Sequence, residues 1–150
     1  LTQLRSRALA KWPDLPGLSS LGHLSAQALP IFSSQLRDPQ GEMVHQQSAT
    51  RMLSDVFGIQ ARGGCACAGP YAHRLLGIEA AQSEQLRVPI LSGQEVQKPG
   101  WTRLGFSPLM TGEKVDQIIQ AVSDLARDPH AYSTVYQLDP HTARFSPKAA

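Results

Sequence analysis

The sequence predicts a two-layer α+β domain: a small mixed or antiparallel sheet with helices packed on one face. Three observations predict it. Val115, Ile118, Ile119, Val122, Leu125 and Ala126 recur at helical spacing within Gly112 to Arg127, an apolar stripe suited to lying on a core. Ala49, Met52, Leu53, Val56 and Phe57 repeat that spacing earlier in the chain. Trp101 to Phe106 alternates instead, with Thr102, Leu104 and Phe106 facing one way and Arg103 the other, which is the period of a strand. Strands that alternate with amphipathic helices in this order build a sheet covered on one side.

Leu1, Leu4, Arg7, Ala8, Lys11 and Trp12 read as the latter part of a helix. It ends before Pro13, whose ring clashes with the preceding turn. Pro16-Gly17 forms a loop, a short strand follows around Leu18 to His23, and a second strand spans Leu29 to Leu36. Asp38-Pro39-Gln40-Gly41, with proline at its second position, is the turn that closes it. The helix from Val44 to Phe57 ends at Gly58 as C-cap. Ile59 to Arg62 is expected as a short strand running into Gly63-Gly64, and Gly69-Pro70 opens a short helix to Leu76. Ala80 to Lys98 has weak periodicity and is expected as a partly mobile connection with an extended piece at Val88 to Leu91. Thr111 is the N-cap of the long helix, with Glu113 and Asp116 in its first turn. Tyr132 to Leu138 and Arg144-Phe145 flank the turn-forming Asp139-Pro140 as a hairpin, and Ser146 to Ala150 is a frayed tail.

Composition narrows the function classes. The chain has 150 residues, 41% of them hydrophobic, enough for one modest core. Fourteen Lys plus Arg against twelve Asp plus Glu leave +2, and the charges are scattered, so no footprint for nucleic acid or an anionic membrane is visible. No apolar run approaches the roughly 20 residues that cross a bilayer. Two cysteines one residue apart cannot make a disulfide framework, because alternate strand Cα atoms lie about 6.5 Å apart, near the limit of bridge geometry. A reducing, cytoplasmic compartment is the simpler expectation.

The densest chemistry lies in Gln60-Ala61-Arg62-Gly63-Gly64-Cys65-Ala66-Cys67-Ala68-Gly69-Pro70-Tyr71. Glycines let backbone approach a ligand, an arginine offers a bidentate fork for carboxylate, and Cys67 precedes a helix N-terminus that, with Arg62, favours thiolate. The competing reading makes each cysteine a small buried hydrophobe. Cys65 and Cys67 could also ligate a metal with His45 or His73, although a C-x-C pair falls short of the two spaced pairs of a structural zinc site. His23, His130 and His141 read as surface or turn residues. Neither a G-x-G-x-x-G run, a Gly-Lys-Ser/Thr cradle nor a G-x-S-x-G elbow is present, and Trp12, Trp101 and Tyr71 are too scattered for base stacking.

Leu29-Pro30-Ile31-Phe32-Ser33, then Val56 to Tyr71, then Lys98-Pro99-Gly100-Trp101-Thr102-Arg103-Leu104 together resemble the C-terminal part of class V aminotransferases. These pyridoxal-phosphate enzymes include cysteine desulfurases and selenocysteine lyases. The resemblance implies that residues 1–16 are the end of an interdomain connector helix, 17–130 the small α+β domain and 131–150 a C-terminal hairpin and tail. It also implies that Cys67, ending an Arg-x-Gly-x-x-Cys run, corresponds to the thiol that accepts substrate sulfur. Arg103 corresponds to the arginine that binds the α-carboxylate of an amino-acid substrate, and Arg62 lines the same cleft. A homodimer and a sulfur-acceptor protein are the partners it implies. Cys65 stands where desulfurases commonly carry histidine, and Ala72 where close relatives carry glycine. The cofactor lysine, the acidic partner of the pyridine nitrogen and the phosphate loop of such enzymes belong to a large domain, and no segment here resembles it. Lys11, Lys98, Lys114 and Lys148 are not in a cofactor-lysine context. The expectation is a fragment, catalytically incomplete alone, whose whole enzyme carries out desulfuration or, with Cys67 structural, transamination or other amino-acid chemistry. A free-standing thiol or metal-binding module is the non-enzymatic alternative.

Overall fold

The computed structural model describes residues 2–64 and 69–149. Helix α1 (Thr2–Leu9) leads through a turn to strands β1 (Leu18–Ser20), β2 (Ile31–Arg37) and β3 (Met43–Val44), followed by helix α2 (Gln46–Phe57) and strand β4 (Arg62–Gly64). Helices α3 (Gly69–Leu76) and α4 (Ala80–Leu91), a 3-10 turn at Glu95–Gln97 and strand β5 (Trp101–Gly105) come next. The chain closes with the long helix α5 (Gly112–Arg127), the short α6 (His130–Ser133) and the hairpin β6 (Tyr136–Asp139) and β7 (Arg144–Pro147).

Every pairing among the described strands is antiparallel. The main sheet runs β1-β2-β5-β4, and β3 pairs with β2 as well. Strands β2 and β5 are its centre: Phe32 lies opposite Leu104 and Ser34 opposite Thr102. Phe32, Leu36 and Leu104 point into one core with Ala49, Met52 and Leu53 of α2 and Val115, Ile118, Ile119, Val122 and Leu125 of α5. The expected α+β architecture is the observed one.

Trp12 organises that core. Its ring meets Phe32 edge-on at 4.9 Å and lies 6.1 Å from Phe106, while Nε1 donates to the Ile119 carbonyl at 3.4 Å. An indole that buries its rings and still finds an acceptor leaves no orphaned donor. Arg5 is also buried, at 9% exposure, and pairs with no carboxylate among the described residues. Its guanidinium donates to the Leu24 and Leu29 carbonyls and lies 5.4 Å above the centre of Phe32, so α1 is tied to the β1–β2 connection by hydrogen bonds and a cation–π contact.

The helices end as their residues demand. Thr111 Oγ1 accepts the Lys114 N–H, capping α5. Gly58 stops α2 at φ 65°, a left-handed conformation that only glycine takes without strain, and the Gly58 and Ile59 N–H groups return to the last turn. His45 is the N-cap of α2: Nδ1 accepts the Gln47 N–H at 3.1 Å, which assigns the proton to Nε2.

Six expectations need correction. Val44 pairs with Leu36 in β3, so the helix expected from Val44 begins at Gln46, and Ser146 and Pro147 pair with β6 where a frayed tail was expected. Residues 80–91 form a helix, with no extended piece at Val88 to Leu91. Ala80, Ala81, Gln82, Glu84, Gln85, Leu86 and Arg87 are good helix formers, and intrinsic propensity prevails although none of the helix's residues is buried. Tyr132 belongs to α6, where it packs edge-on against Phe57 at 5.3 Å, so the hairpin begins only at Tyr136. The strand expected from Ile59 begins at Arg62, because Ile59 is drawn into the core instead. The first strand stops at Ser20 rather than His23. Among the described residues no helix is long and apolar enough to cross a membrane.

Candidate anion-binding site on the second face of the sheet

The site is a consequence of register. β4 joins β5 with Arg62 opposite Arg103, Gly63 opposite Thr102 and Gly64 opposite Trp101. On the other edge of β5, Ser33 of β2 also lies opposite Arg103. Side chains of directly opposed residues leave a sheet on the same side. Thr102 and Leu104 face the core, so Ser33, Arg103 and Arg62 form a row on the face turned away from α2 and α5. Arg103 is half-buried and Arg62 exposed.

Trp101 shares that side, two residues before Arg103. It is 3% exposed, yet it stands outside the core cluster that holds Trp12. Trp101, Gly63, Gly64, Arg62 and Arg103 line a small cleft of about 10 Å³, open to solvent. An apolar ring beside two guanidinium groups lowers the local dielectric and strengthens their pull on an anion.

Glycine is what lets β4 lie there. A Cβ on Gly63 would stand 3.0 Å from the Gln46 carbonyl oxygen, and one on Gly100 would stand 2.9 Å from the carbonyl carbon of Gly64. The first turn of α2 therefore presses directly on the core side of β4. Gln46 Nε2 donates to the Lys98 carbonyl and Gln35 Nε2 to the Gly100 carbonyl, each at 3.3 Å, fixing the entry into β5.

Two like charges directly opposite across a strand pair repel. Five other cations meet a carboxylate: Arg51 pairs with Asp55, Arg87 with Glu84, Arg127 with Asp124, Arg7 with Asp116 and Lys98 with Glu95. Among the described residues neither Arg62 nor Arg103 has a carboxylate or hydrogen-bond partner. The sequence has no Asp or Glu from residue 61 to 78 or from 96 to 112. The arrangement holds two uncompensated forks beside an indole, and such a locus attracts carboxylate or another oxyanion.

Cys67, the expected sulfur acceptor, and Cys65 lie outside the described residues. Among the described residues no group of three or more His, Cys, Asp or Glu comes together to hold a metal ion. His73 Nε2 is 3.1 Å from Ser83 Oγ, joining α3 to α4, and His45 caps α2. His130 and His141 sit at the surface and in a turn, as expected: His130 meets Asp38, and His141 Nδ1 lies 3.3 Å from the Gly93 carbonyl. All four lysines are exposed. Lys98 Nζ is held by Glu95, and Lys148 Nζ donates to the Thr134 carbonyl. None borders the cleft, so the lysines of this chain do not fit a covalent anchor for an aldehyde cofactor there.

Arg103 on the far side of its strand was legible in the alternation around it. The opposition of Arg62 to Arg103 was not, because register is set by which strands pair. The burial of Trp101 beside them had one usable signal, its two-residue spacing from Arg103. No protein-family model matches the chain, and no curated protein matches it.

Proposed function

We propose that this chain is the small C-terminal domain of a pyridoxal-phosphate-dependent enzyme of the class V aminotransferase type, desulfurase- or selenocysteine-lyase-like, acting on an amino-acid substrate. The observation that carries the reading is the unneutralised Arg103, half-buried on β5 and faced across the strand by Arg62. In this reading Arg103 receives the substrate α-carboxylate in a bidentate fork, and Trp101 walls the cleft against water. Pyridoxal phosphate, the electron sink of such chemistry, is held by a large domain that accompanies this one. Cys67 is the thiol that the resemblance assigns to sulfur acceptance. A homodimer, a sulfur-acceptor protein and a cytoplasmic location belong to the same proposal.

The test begins with the coding sequence upstream of Leu1. The expected finding is a large domain with a cofactor lysine. The encoded protein is then assayed for sulfide or selenide release. Arg103→Gln is expected to lower kcat/KM by roughly one hundredfold, the loss of one charge-assisted bidentate contact. Cys67→Ser is expected to abolish sulfur release. Unchanged transamination in Cys67→Ser, with no sulfur released by the wild type, would replace desulfuration by amino-group chemistry on the same fold. An upstream sequence without a cofactor domain overturns the proposal.

A further inference from the structure

We infer that the groove between α2 and the C-terminal hairpin binds an organic phosphate of about nucleotide size, with Arg51 and Arg144 meeting its phosphoryl group from the two walls. This groove is a different part of the fold from the arginine row of β4 and β5, and the inference does not rest on the reading above.

The groove follows from the two sides of α2. Ala49, Met52 and Leu53 bury one side in the core. Gln47, Thr50, Arg51 and Ser54 recur at i, i+3, i+4 and i+7 on the other, so a polar stripe of amide, hydroxyl and guanidinium groups runs along the helix. The hairpin is docked beside that stripe. Tyr136 Oη donates to Asp55 Oδ2 at 3.1 Å, the Phe145 ring lies 5.5 Å from that of His45, and Ala143 is buried. At the hairpin's turn the Val96 N–H donates to the Pro140 carbonyl at 3.2 Å. Between helix and hairpin a space of about 680 Å³ remains, the size of a small-molecule site. Because the hairpin is tied down both at its turn and at the start of β6, a ligand meets a formed groove and does not have to order one.

Charge selects an anion. Arg51 and Arg144 line the groove, and among the described residues no Asp, Glu or Lys does. Arg51 Nε meets Asp55 Oδ2 at 2.7 Å, the same oxygen that takes the Tyr136 proton, so its planar guanidinium is held from the side. Arg144 pairs with no carboxylate among the described residues. Asp139, its opposite in the hairpin register, accepts from the His141 N–H and the Thr142 hydroxyl instead. The hydroxyls then select among anions. A carboxylate is planar and one guanidinium fork satisfies it, whereas a phosphoryl group presents three acceptor oxygens in different directions. Here Ser54 accompanies Arg51 on the helix wall and Ser146 accompanies Arg144 on the hairpin wall, a set of donors that comes from two sides. The space also exceeds what a free phosphate fills, and Phe145 offers the remainder of the ligand an aromatic surface.

Adenosine monophosphate, adenosine, inorganic phosphate and citrate, titrated into the chain while backbone amide resonances are followed by NMR, separate the outcomes. Adenosine monophosphate is expected to shift the amides of Thr50, Ser54, Arg144 and Ser146 and to bind at least about tenfold more tightly than any of the other three. Arg144→Gln is expected to weaken it about tenfold, and Ser54→Glu, which sets a negative charge in the groove, to abolish binding. Both positions are exposed, and an otherwise unchanged spectrum verifies that each variant is folded. Arg103→Gln is expected to bind as the wild type does. Adenosine as tight as the monophosphate overturns the role of the phosphoryl group, citrate as tight overturns selection of phosphate over carboxylate, and inorganic phosphate as tight overturns the size of the ligand. Absence of shifts at the groove amides, or loss of binding in Arg103→Gln, overturns the site itself.

Discussion

His130 Nε2 stands 3.0 Å from Asp38 Oδ2, joining the start of α6 to the turn between β2 and β3 across 92 residues of sequence. Asp38 serves two masters. Its other oxygen, Oδ1, accepts the Gln40 and Glu42 N–H groups at 3.0 and 2.8 Å, so the same carboxylate shapes the turn that the sequence marks with Pro39 and Gly41. The His130 side chain is 59% exposed and that of Asp38 only 10%. Solvent screens the imidazole end, and an exposed pair of this kind contributes about 0–1 kcal/mol.

Asp38→Ala is therefore expected to destabilise the fold by about 1–2 kcal/mol, chiefly through the turn, and His130→Ala by less than about 1 kcal/mol. Urea unfolding of the two single variants and the double variant measures the coupling. A coupling as large as the whole Asp38 effect would show that the long-range pair, rather than the turn, is what matters.

Acid is expected to weaken the fold through His45. Burial holds its imidazole below the ordinary value of 6.5, outweighing the opposing effect of the nearby Val96 backbone. Nε2 is buried without a hydrogen-bond partner among the described residues, and the ring lies 5.5 Å from that of Phe145. The unfolded chain protonates this histidine more readily than the folded one. Stability contributed by neutral His45 is accordingly present above pH 6.5 and is lost as pH falls through the unfolded value toward the depressed folded one. Protonation would also remove the lone pair that caps α2. His45→Asn keeps a capping side chain without a titrating ring, so it is expected to flatten the stability profile between about pH 7 and pH 5.5. A variant profile as steep as that of the wild type would assign the acid sensitivity elsewhere.

The core contains a correctable flaw. Ser34 and Thr102 lie directly opposite each other on the core face, and both line a cavity of about 20 Å³ whose other walls include Trp12, Phe32, Leu53 and Leu125. Apolar side chains make up most of the cavity's lining. Thr102→Val is expected to raise stability by up to about 1 kcal/mol, since it trades a hydroxyl on an apolar wall for a methyl at nearly constant shape. Thermal unfolding checks this. A loss of stability would point to a water bridging the two hydroxyls, which is what a cavity of this volume can hold.

Gly100→Ala is expected to cost about 1–3 kcal/mol, because the new methyl meets backbone and cannot displace a flexible chain end. Its more telling effect concerns the cleft. Gly100 presses on Gly64, so the methyl pushes β4 off β5 and draws Arg62 away from Arg103. The expected result is weakened carboxylate binding at Arg103 in a protein that still folds, followed by NMR of the arginine Nε–Hε resonances. Unaltered binding would mean that β4 absorbs the methyl without moving.

These cases show where sequence reading succeeds. The helix at 112–127 was legible to its ends, since its stripe, its threonine cap and its first-turn acid all agree. α2 was legible from the stripe and from Gly58, although His45 as its cap was not foreseen, because a histidine lone pair stands in for the usual hydroxyl or carboxylate. α4 escaped because a helix that buries nothing needs no stripe. β3, two residues long, exists only through its pairing with β2 beyond the reach of β5. At the site, Arg103 could be aimed from alternation alone. Its partner could not, because the contact with Arg62 joins residues 41 positions apart through a ladder that no local pattern encodes.

The helix α4 has one more implication. It hangs beside the domain with its twelve residues on the surface, held by the His73–Ser83 bond to α3 and by its contacts with the 3-10 turn that follows. None of its own residues is buried, so its amides are expected to exchange with solvent by local excursions while those of α5, whose apolar face packs into the core, wait for the whole domain to unfold. The molecule thus keeps two clocks: a fast one for the hairpin of α3 and α4, and a slow one for the sheet that carries the arginines. The same separation lets α4 accumulate substitutions freely while the geometry of β4 and β5 stays where the glycines put it.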